Sequence, residues 1–336
     1  MKKVILALIV APMLLLIGCK ESETVNGPVT TSGEWNLIYK AQAGGYFWGL
    51  CFADQNSGWA IGDSGRILHT SNGGNLWDAQ ESGVTVSLRC VYFANAKKGW
   101  VGGANNSIGG TTNGGASWTW KHPSGESRRT FLAMSFVNEY QGWVVDNYSG
   151  ILHTEDGGIT WTSQNSGTTW AITSVQFLNA NEGWATATNR VVLHTLDGGN
   201  NWTSITLDTL NYGRGVTVVY TDIYFYDRSR GWISTSAIFS NILDPVASVV
   251  STSDAGKTWL CQPSPEKFSI NAITFVNENS GWAASESGIL HTGNAGGEWA
   301  YQLEVTEDLF VDIWFVDESH GWAITFTGCI YRYWGS

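Results

Sequence analysis

The motif Phe-x5-Gly-Trp occurs seven times in this chain, with the same internal spacing each time. Successive copies of its glycine lie 41, 43, 41, 48, 50 and 40 residues apart. A repeat of about 40–50 residues built from short strands is typical of a β-propeller, in which each repeat forms one four-stranded blade. We therefore expect an all-β, seven-bladed propeller of antiparallel blades.

The aromatic residues of this motif are expected to belong to the structural core and not to a binding surface. Its phenylalanines are Phe52, Phe93, Phe136, Phe177, Phe225, Phe275 and Phe315. Its tryptophans are Trp59, Trp100, Trp143, Trp184, Trp232, Trp282 and Trp322.

A second motif, Thr-x-Asp/Asn-x-Gly-x-x-Trp, follows in six of the seven repeats. Its Asp or Asn is suited to accept hydrogen bonds within its own turn, and its glycine to adopt positive φ. Its tryptophan is expected to be buried between strands with its N–H satisfied locally. This turn resembles the Asp-box, or BNR repeat, which indicates a fold and not an activity. The turn residues are Asn72, Asn113, Asp156, Asp197, Asp254 and Asn294.

The seventh repeat lacks this turn, and its strands end close to the end of the chain. Near the other end, Gly33-Glu34-Trp35 matches Gly297-Glu298-Trp299, and a strand-like run follows it. We therefore predict that the N-terminal strand supplies the outer strand of the last blade and closes the ring. Such closure pairs two edges that would otherwise be open to aggregation.

The N-terminus has the pattern of an export signal. Lys2 and Lys3 precede an apolar run that ends in Leu16-Ile17-Gly18-Cys19, an ending that resembles a bacterial lipobox. We expect residues 1–18 to be a lipoprotein signal peptide, Cys19 to be lipidated, and residues 19–30 to form a flexible tether. Residues 31–336 then form one propeller domain, exported and lipid-anchored in the bacterial cell envelope.

Charge and cysteine content narrow the choice of partners. Without the two signal lysines, 16 basic residues face 29 acidic ones, a net charge of −13, which argues against a nucleic-acid ligand. The four remaining cysteines, Cys51, Cys90, Cys261 and Cys329, show no metal-binding spacing. Cys51 and Cys90 fall on inner strands of adjacent blades, and the pattern is compatible with a bridge between them or with two buried thiols.

Two kinds of connection vary between repeats, and both fall on the same face of the propeller. They join the fourth strand to the next first strand, and the second strand to the third. The insertions from Asp208 to Tyr220 and from Ser234 to Ser248 belong there. Because binding residues concentrate on variable loops, we predict an aromatic and cationic surface around the channel mouth on this face. Its members are Tyr46, Trp48, Arg89, Arg128, Arg129, Tyr148, Trp170, Tyr212 and Arg214. The alternative is that Trp48 and Arg89 only fill the space between blades or contact local carboxylates.

The residues point to no catalytic group, metal site or cofactor. His69, His153, His194 and His291 recur in one repeat position, about one blade apart, so they cannot converge on one metal ion. Carboxylates such as Asp63, Asp146 and Glu286 fall on connections without a context that marks a catalytic pair. Sialidases share the Asp-box, but the three arginines, the Tyr–Glu pair and the acid that they require are not recognisable here.

The combination of Phe-x5-Gly-Trp, Gly-x-Ile-Leu-His-Thr and the Asp-box is similar to the photosystem II assembly/stability factor family over residues 31–335. The resemblance implies a seven-bladed propeller that binds a membrane-protein intermediate through an arginine-rich patch and has no catalysis. With nine arginines and a negative net charge, this chain is expected to keep the scaffold role with a different client. The expected partner is an envelope protein and the expected state a monomer, with membrane contact through the lipid only. A carbohydrate-binding protein or glycoside hydrolase at the cell surface is the alternative.

Overall fold

In the part of the chain that the structure describes, twenty-eight strands form seven four-stranded antiparallel sheets, as the repeat count predicted. The structure, a computed structural model, describes residues 33–41, 45–123, 128–207, 217–238, 248–266, 269–305 and 307–335. The predicted signal peptide, Cys19, the tether, Tyr212 and Arg214 lie outside these residues. Within the described part of the chain, no helix has the length and apolar character needed to cross a membrane.

The strands follow the chain from the first blade to the seventh. Strand β1 is Glu34–Lys40. Blade 1 contains β2 Phe47–Phe52, β3 Gly58–Gly62, β4 Ile67–Thr70 and β5 Asp78–Gln80, with a short 3₁₀ turn at Asp63–Gly65. Blade 2 contains β6 Leu88–Phe93, β7 Gly99–Gly103, β8 Ser107–Thr111 and β9 Thr119–Lys121. Blade 3 contains β10 Phe131–Phe136, β11 Gly142–Asp146, β12 Ile151–Thr154 and β13 Thr162–Gln164.

The later blades repeat this order. Blade 4 contains β14 Ile172–Phe177, β15 Gly183–Ala187, β16 Val191–Thr195 and β17 Thr203–Thr206. Blade 5 contains β18 Thr217–Phe225, β19 Gly231–Ile238, β20 Ser248–Thr252 and β21 Leu260–Pro263. Blade 6 contains β22 Ile270–Phe275, β23 Gly281–Ser285, β24 Gly288–Thr292 and β25 Ala300–Glu304. Blade 7 contains β26 Phe310–Asp317, β27 His320–Thr325 and β28 Cys329–Trp334, with β1 as its outer strand.

The N-terminal strand closes the ring, as predicted. Strand β1 pairs antiparallel with β28, from Glu34 opposite Trp334 to Lys40 opposite Cys329. Trp35 is 7% exposed and takes the place that the Asp-box tryptophan has in other blades. Both termini of the propeller are therefore held within one blade.

The aromatic pair of the counting motif joins neighbouring blades. The indole of each Gly-Trp stacks on the phenylalanine of the next blade, with ring centroids 3.4–4.5 Å apart. That phenylalanine in turn covers the glycine of its own motif: a methyl group on Gly58 would lie 2.3 Å from Phe52 Cε1. Only glycine leaves room for this stack, which explains why every copy of the motif has glycine before its tryptophan.

The same indoles also donate hydrogen bonds across the blade boundary. At five of the seven boundaries the Nε1 group donates to a carbonyl in the Asp-box turn of the next blade, at distances of 2.9–3.1 Å. Blade 7 has no such turn, and there Gln302 Oε1 accepts from both Trp282 and Trp35. Each of these boundaries thus combines stacking with a buried polar contact. The five donors to Asp-box carbonyls are Trp59, Trp100, Trp143, Trp232 and Trp322.

The Asp-box turns have the predicted internal geometry. Asn72 Oδ1 accepts from Leu76 N at 2.9 Å, and the Thr70 hydroxyl oxygen accepts from Gly74 N at 2.9 Å. The turn thereby satisfies its own backbone with two side-chain oxygens.

The prediction that the box tryptophan satisfies its own N–H locally is wrong for most copies. Only Trp259 donates within its turn. The turn carbonyl is already used in other blades: Gly114 O accepts from both Trp59 and Gln80. Five box indoles have a buried Nε1 without a hydrogen-bond partner among the described residues, namely Trp77, Trp118, Trp161, Trp202 and Trp299.

Backbone hydrogen bonds tie each Asp-box turn to the turn between the first and second strands, for example Gly73 N to Asn56 O at 2.9 Å. We call the surface formed by these two sets of turns the Asp-box face. The other connections form the opposite side, the variable face. Part of the insertions predicted there is regular structure, since Thr217–Tyr220 and Ser234–Ile238 extend the first hairpin of blade 5.

None of the four cysteines that the structure describes forms a disulfide bond. Cys51 and Cys90 are buried in adjacent blades, and no bridge joins them. Of the two alternatives left open by the sequence, the structure therefore has buried thiols.

Two carboxylates link inner strands beside the channel. Asp312 Oδ2 accepts from Leu50 N at 2.8 Å across the boundary of blades 7 and 1. Asp222 Oδ2 accepts from Ile273 N at 3.0 Å across the boundary of blades 5 and 6. Burial raises the pKa of Asp312 to about 7; its backbone hydrogen bonds oppose this rise, and the charge of Asp222 adds to it. In the other inner strands, the equivalent position holds Gly, Ala, Cys or Ser.

Deletion of residues 31–40 is expected to abolish the cooperative fold of the whole ring and not only of one blade. It leaves the edge of β28 unpaired and removes Trp35 from the core. Thermal unfolding followed by circular dichroism measures this. Removal of residues 20–30 is the control and should leave the melting temperature unchanged. A 31–40 deletion that melts like the full chain would contradict the closure argument.

Gly58→Ala is expected to lower the free energy of unfolding by about 1–3 kcal/mol, because the added methyl group overlaps the Phe52 ring. The matched control is Gly110→Ala, whose methyl group would lie 3.6 Å from its nearest neighbour, Trp100 Cδ1. That change should stay within about 0.5 kcal/mol. Urea denaturation compares the two variants, and equal effects would argue against the stacking constraint.

Asp312→Ser is expected to gain stability relative to the wild type as the pH rises from 4 to 8. Because the folded pKa of Asp312, about 7, lies above its ordinary value of 3.8, the folded wild type has the benefit of a protonated Asp312 only at low pH. Its stability falls as the pH rises through this window, on the order of 1 kcal/mol per pH unit, whereas serine does not titrate. Urea denaturation at several pH values gives the difference, and a flat difference would refute the raised pKa.

Candidate functional site

The inner strands of the blades surround a central cavity of about 640 Å³, whose lining runs along these strands from their variable-face ends to their Asp-box-face ends. Each inner strand carries a β-bulge near its start, which breaks the alternation of side chains. A regular scaffold thus presents a non-repeating set of side chains at the mouth of the channel. The seven bulge residues all line the cavity: Trp48, Arg89, Leu132, Thr173, Thr221, Asn271 and Val311.

The Gly-Trp indoles do not contribute to this cavity. Each of the seven is at most 2% exposed, packed between two blades, and none is among the residues that line the channel. They account for seven of the 19 tryptophans without offering a surface to a ligand. These buried residues are Trp59, Trp100, Trp143, Trp184, Trp232, Trp282 and Trp322.

Arg89 and Trp48 form a fixed pair at the channel mouth. The Arg89 guanidinium carbon lies 3.6 Å from the centroid of the Trp48 ring, and Arg89 Nε donates to the Ser87 hydroxyl at 3.0 Å. Trp48 Nε1 donates to Asp63 Oδ1 at 2.8 Å, and the Ser87 hydroxyl donates to the same oxygen. Burial lowers the pKa of Arg89, an effect that the Asp63 charge partly offsets.

The terminal nitrogens of Arg89 have no hydrogen-bond partner among the described residues, since only its Nε is engaged. A planar guanidinium held by stacking keeps its N–H groups in a fixed direction and suits a carboxylate or phosphate. Trp48 therefore does bind a local carboxylate, Asp63, as the alternative interpretation stated, and Arg89 is linked to the same carboxylate through Ser87. They also line the open cavity, where Arg89 remains available to a ligand.

An aromatic shelf adjoins this pair. Tyr46 is 39% exposed and stacks on Phe326, with ring centroids 4.2 Å apart. Trp48 packs edge-on against the same Phe326 ring at 5.0 Å. Phe326 lies between the second and third strands of blade 7, where the repeats share no motif, so sequence patterns did not single it out.

The other predicted residues lie farther around the face. Arg129 Nη1 bonds Asp146 Oδ2 at 2.7 Å, and Asp146 also accepts from the backbone of Tyr148, which is exposed. Arg128 is exposed beside Arg129. Trp170 is 46% exposed on the connection into blade 4, and no ring contact joins it to the other described site aromatics. The structure thus brings together Tyr46, Trp48 and Arg89, places Arg129 with Tyr148, and leaves Trp170 apart.

Charge on the variable face divides between the two sides of the ring. Five of the nine arginines lie on blades 1–4 of this face, and we call them the basic arc: Arg66, Arg89, Arg128, Arg129 and Arg190. The described connections of blades 1–4 also carry three acidic residues on this face, Asp63, Glu81 and Asp146, whereas the described connections of blades 6 and 7 carry acidic side chains and no arginine: Glu266, Glu286, Glu304, Glu307 and Asp308. A chain with a strong negative net charge therefore still offers a local cationic surface.

Two of these acidic residues lie near each other on blade 6. Burial raises the pKa of Glu286, and the charge of Glu266 adds to this effect. Glu266 is 1% exposed and accepts from Ser287 N and the Tyr301 hydroxyl, both at 3.1 Å. This pair lies on a different blade connection from the exposed Trp170.

The repeated histidines pack inside their blades. Each stacks on or tilts against the Gly-Trp indole of its own blade, with centroids 3.7–4.9 Å apart. Burial lowers the pKa of His69, His153, His194 and His291. Among the residues that the structure describes, no group of three or more His, Cys, Asp or Glu side chains is arranged to hold a metal ion.

Several known propellers have the same fold. A structure of YCF48 bound to D1 peptide is 17% identical, with a TM-score of 0.72, and the match covers 92% of this chain and 99% of that one. YCF48 from Cyanidioschyzon merolae is also 17% identical, with a TM-score of 0.69 and coverage of 89% and 98%. An ancestral GH74 enzyme is 15% identical at a TM-score of 0.66, and the match covers 90% of this chain but 46% of the enzyme.

Sequence comparison identifies the family more directly than these distant structures do. No curated protein sequence matches the chain significantly. The sequence model of the family described as photosynthesis system II assembly factor YCF48 matches residues 28–124, 81–163 and 119–222. These overlapping matches run from residue 28 to residue 222, more than half of the chain, and the chain therefore belongs to the YCF48 family.

Proposed function

We propose that this chain is a non-catalytic scaffold that binds a protein client at the bacterial cell envelope, where a lipid on Cys19 anchors it. The observation that carries the proposal is the basic arc, in which Arg89 is held on Trp48 at the channel mouth with its terminal nitrogens directed to no described partner. Residues at such positions combine a rigid contact surface with directional charge, as binding hot spots do.

A relative supports a peptide or protein as the ligand. The YCF48 structure that covers 92% of this chain is bound to D1 peptide. We propose that a peptide segment of a client protein binds this chain too, and that it lies across the variable face. At 17% identity, the relative supports the scaffold role and does not identify the client.

The client segment is expected to be acidic. At physiological ionic strength, charges act over a Debye length of roughly 8 Å, so the basic arc attracts nearby carboxylates despite the net charge of the chain. The acidic side of the same face repels them, which fixes the orientation of the segment. Nine arginines in all make this cationic surface small, and we propose a client other than a photosystem protein.

Three carboxylates of the variable face are already engaged by neighbouring groups, which supports a role without catalysis. Asp63 and Asp146 are engaged by Trp48 and Arg129, and Glu266 by Tyr301 and Ser287. A glycosidase needs two carboxyl groups that both reach the substrate, one of them able to donate a proton. The likeness to GH74 enzymes keeps glycan binding as the competing outcome of the client experiment.

Attachment to the envelope completes the proposal. The basic start, the apolar run and Leu16-Ile17-Gly18-Cys19 support cleavage after Gly18 and lipidation of Cys19. Several acyl chains on one residue give stable anchoring, whereas one chain gives reversible binding. We propose that the client is an envelope or membrane protein within reach of this anchor.

Double substitution of Arg89→Ala and Arg128→Ala is expected to lower client recovery about tenfold, because it removes a rigid cationic contact and an exposed one. The full lipidated chain is crosslinked in membranes of the organism that encodes it, and co-purified proteins are quantified by mass spectrometry. One protein recovered near equal stoichiometry from the wild type is the expected result.

The matched control is Lys97→Ala with Lys257→Ala, which removes the same charge from the Asp-box face. By the same charge argument, its recovery should stay within about twofold of the wild type. Equal loss in both variants would contradict a site on the variable face. Recovery of no stoichiometric protein, together with binding on a glycan array, would overturn the protein-client proposal in favour of a glycan ligand.

A further inference from the structure

The propeller receives its N-terminal segment on the Asp-box face. Outer strands begin at this face, because they follow the Asp-box turns. Strand β1 obeys the same geometry: Glu34 pairs with Trp334, and Gly33 N donates to Trp334 O at 2.6 Å. Gly33 lies fourteen positions after Cys19, a distance of at most about 50 Å at full extension. An anchor on Cys19 would therefore join the propeller at its Asp-box face.

The exposed apolar side chains concentrate on the same face. Ile159 and Leu196 are 64% and 61% exposed at the tips of adjacent Asp-box turns. The turns of a propeller face end near one plane, so several tips can touch a flat surface together. Ten large hydrophobic residues are exposed among those that the structure describes, and seven of them lie on or beside Asp-box-face turns: Leu76, Tyr140, Ile159, Leu196, Tyr226, Leu260 and Trp334.

The net charge of the Asp-box face determines which kind of lipid surface it can contact. Its turns carry twelve acidic and five basic side chains, a formal excess of seven negative charges. Such a face is repelled by anionic headgroups, while its aliphatic and aromatic tips suit the interfacial region of a bilayer. A membrane rich in zwitterionic lipid satisfies both conditions.

We infer that the Asp-box face docks on a zwitterionic lipid surface through its exposed apolar tips and turns the variable face away from the membrane. The inference rests on the lipid anchor of the proposed function. The anchor supplies a high local concentration of bilayer, so weak apolar contacts suffice to set the orientation. The client site then faces outward, towards segments that project from the membrane.

The test measures the distance of each face from the bilayer. The full lipidated chain, in a Cys261→Ser and Cys329→Ser background, receives a fluorophore at Ser71→Cys on the Asp-box face or at Thr169→Cys on the variable face. Both sites are exposed turn positions. In phosphatidylcholine vesicles that contain a membrane-embedded quencher, the label at position 71 is expected to be quenched at least about threefold more strongly than the label at position 169, because apolar tips insert at the interface. Equal quenching, or the reverse order, overturns the inference.

A second variant separates docking from tethering. Ile159→Ser with Leu196→Ser should reduce the quenching ratio towards one, whereas Trp170→Ser on the variable face should leave it unchanged. If the variant with Ile159→Ser and Leu196→Ser kept the same quenching ratio as the unsubstituted protein, the tether alone would set the orientation, and docking would be overturned. If the chain fails to float with vesicles at all, the lipid anchor of the proposed function is wrong, a result that the flotation step reports before any quenching is measured.

Discussion

Every blade boundary depends on one contact, the stack of a Gly-Trp indole on the phenylalanine of the next blade. The ring planes lie within 17° of parallel at all seven boundaries, and the glycine beneath the phenylalanine leaves no room for a side chain. Because the same indole usually donates to the next Asp-box turn, as Trp143, Trp232 and Trp322 do, one residue fixes both the spacing and the register of neighbouring blades. The loops of the variable face take no part in these stacks and hydrogen bonds, so their sequences can differ between blades.

The boundary between blades 4 and 5 departs from this rule. Trp184 Nε1 is buried without a hydrogen-bond partner among the described residues, and its stack on Phe225 is the longest, at 4.5 Å. Other contacts replace the missing bond: the nearly buried Glu182 pairs with Arg228 at 2.6 Å, and Gln176 and Phe225 exchange two hydrogen bonds. Blade 5 also carries the longest inner hairpin. The ring thus accepts insertions where polar side chains take over from the repeated contact.

The repeats made the fold predictable, because seven copies of one spacing define the blade count. The missing Asp-box turn of the last repeat and the Gly33-Glu34-Trp35 match then identify the closing strand. The site was predictable only in part. Arg89 and Trp48 stood out as aromatic and cationic residues outside the repeat, but their shared dependence on Asp63 arises from contacts between connections, which no local pattern encodes. Asp222 and Asp312 could have been identified from the sequence, since they replace small residues at one position of the inner strand. No sequence pattern pointed to Phe326.

The pairing of β1 with β28 has a consequence for how the chain reaches its folded state. The two partners are separated by almost the whole sequence, so the first strand cannot find its place until the last has been made. At roughly 5–20 residues per second, synthesis of the intervening chain takes at least about 15 s. For that time an amphipathic strand with a tryptophan remains without its sheet. The strand of the propeller that most needs protection during synthesis is therefore the one that is made first.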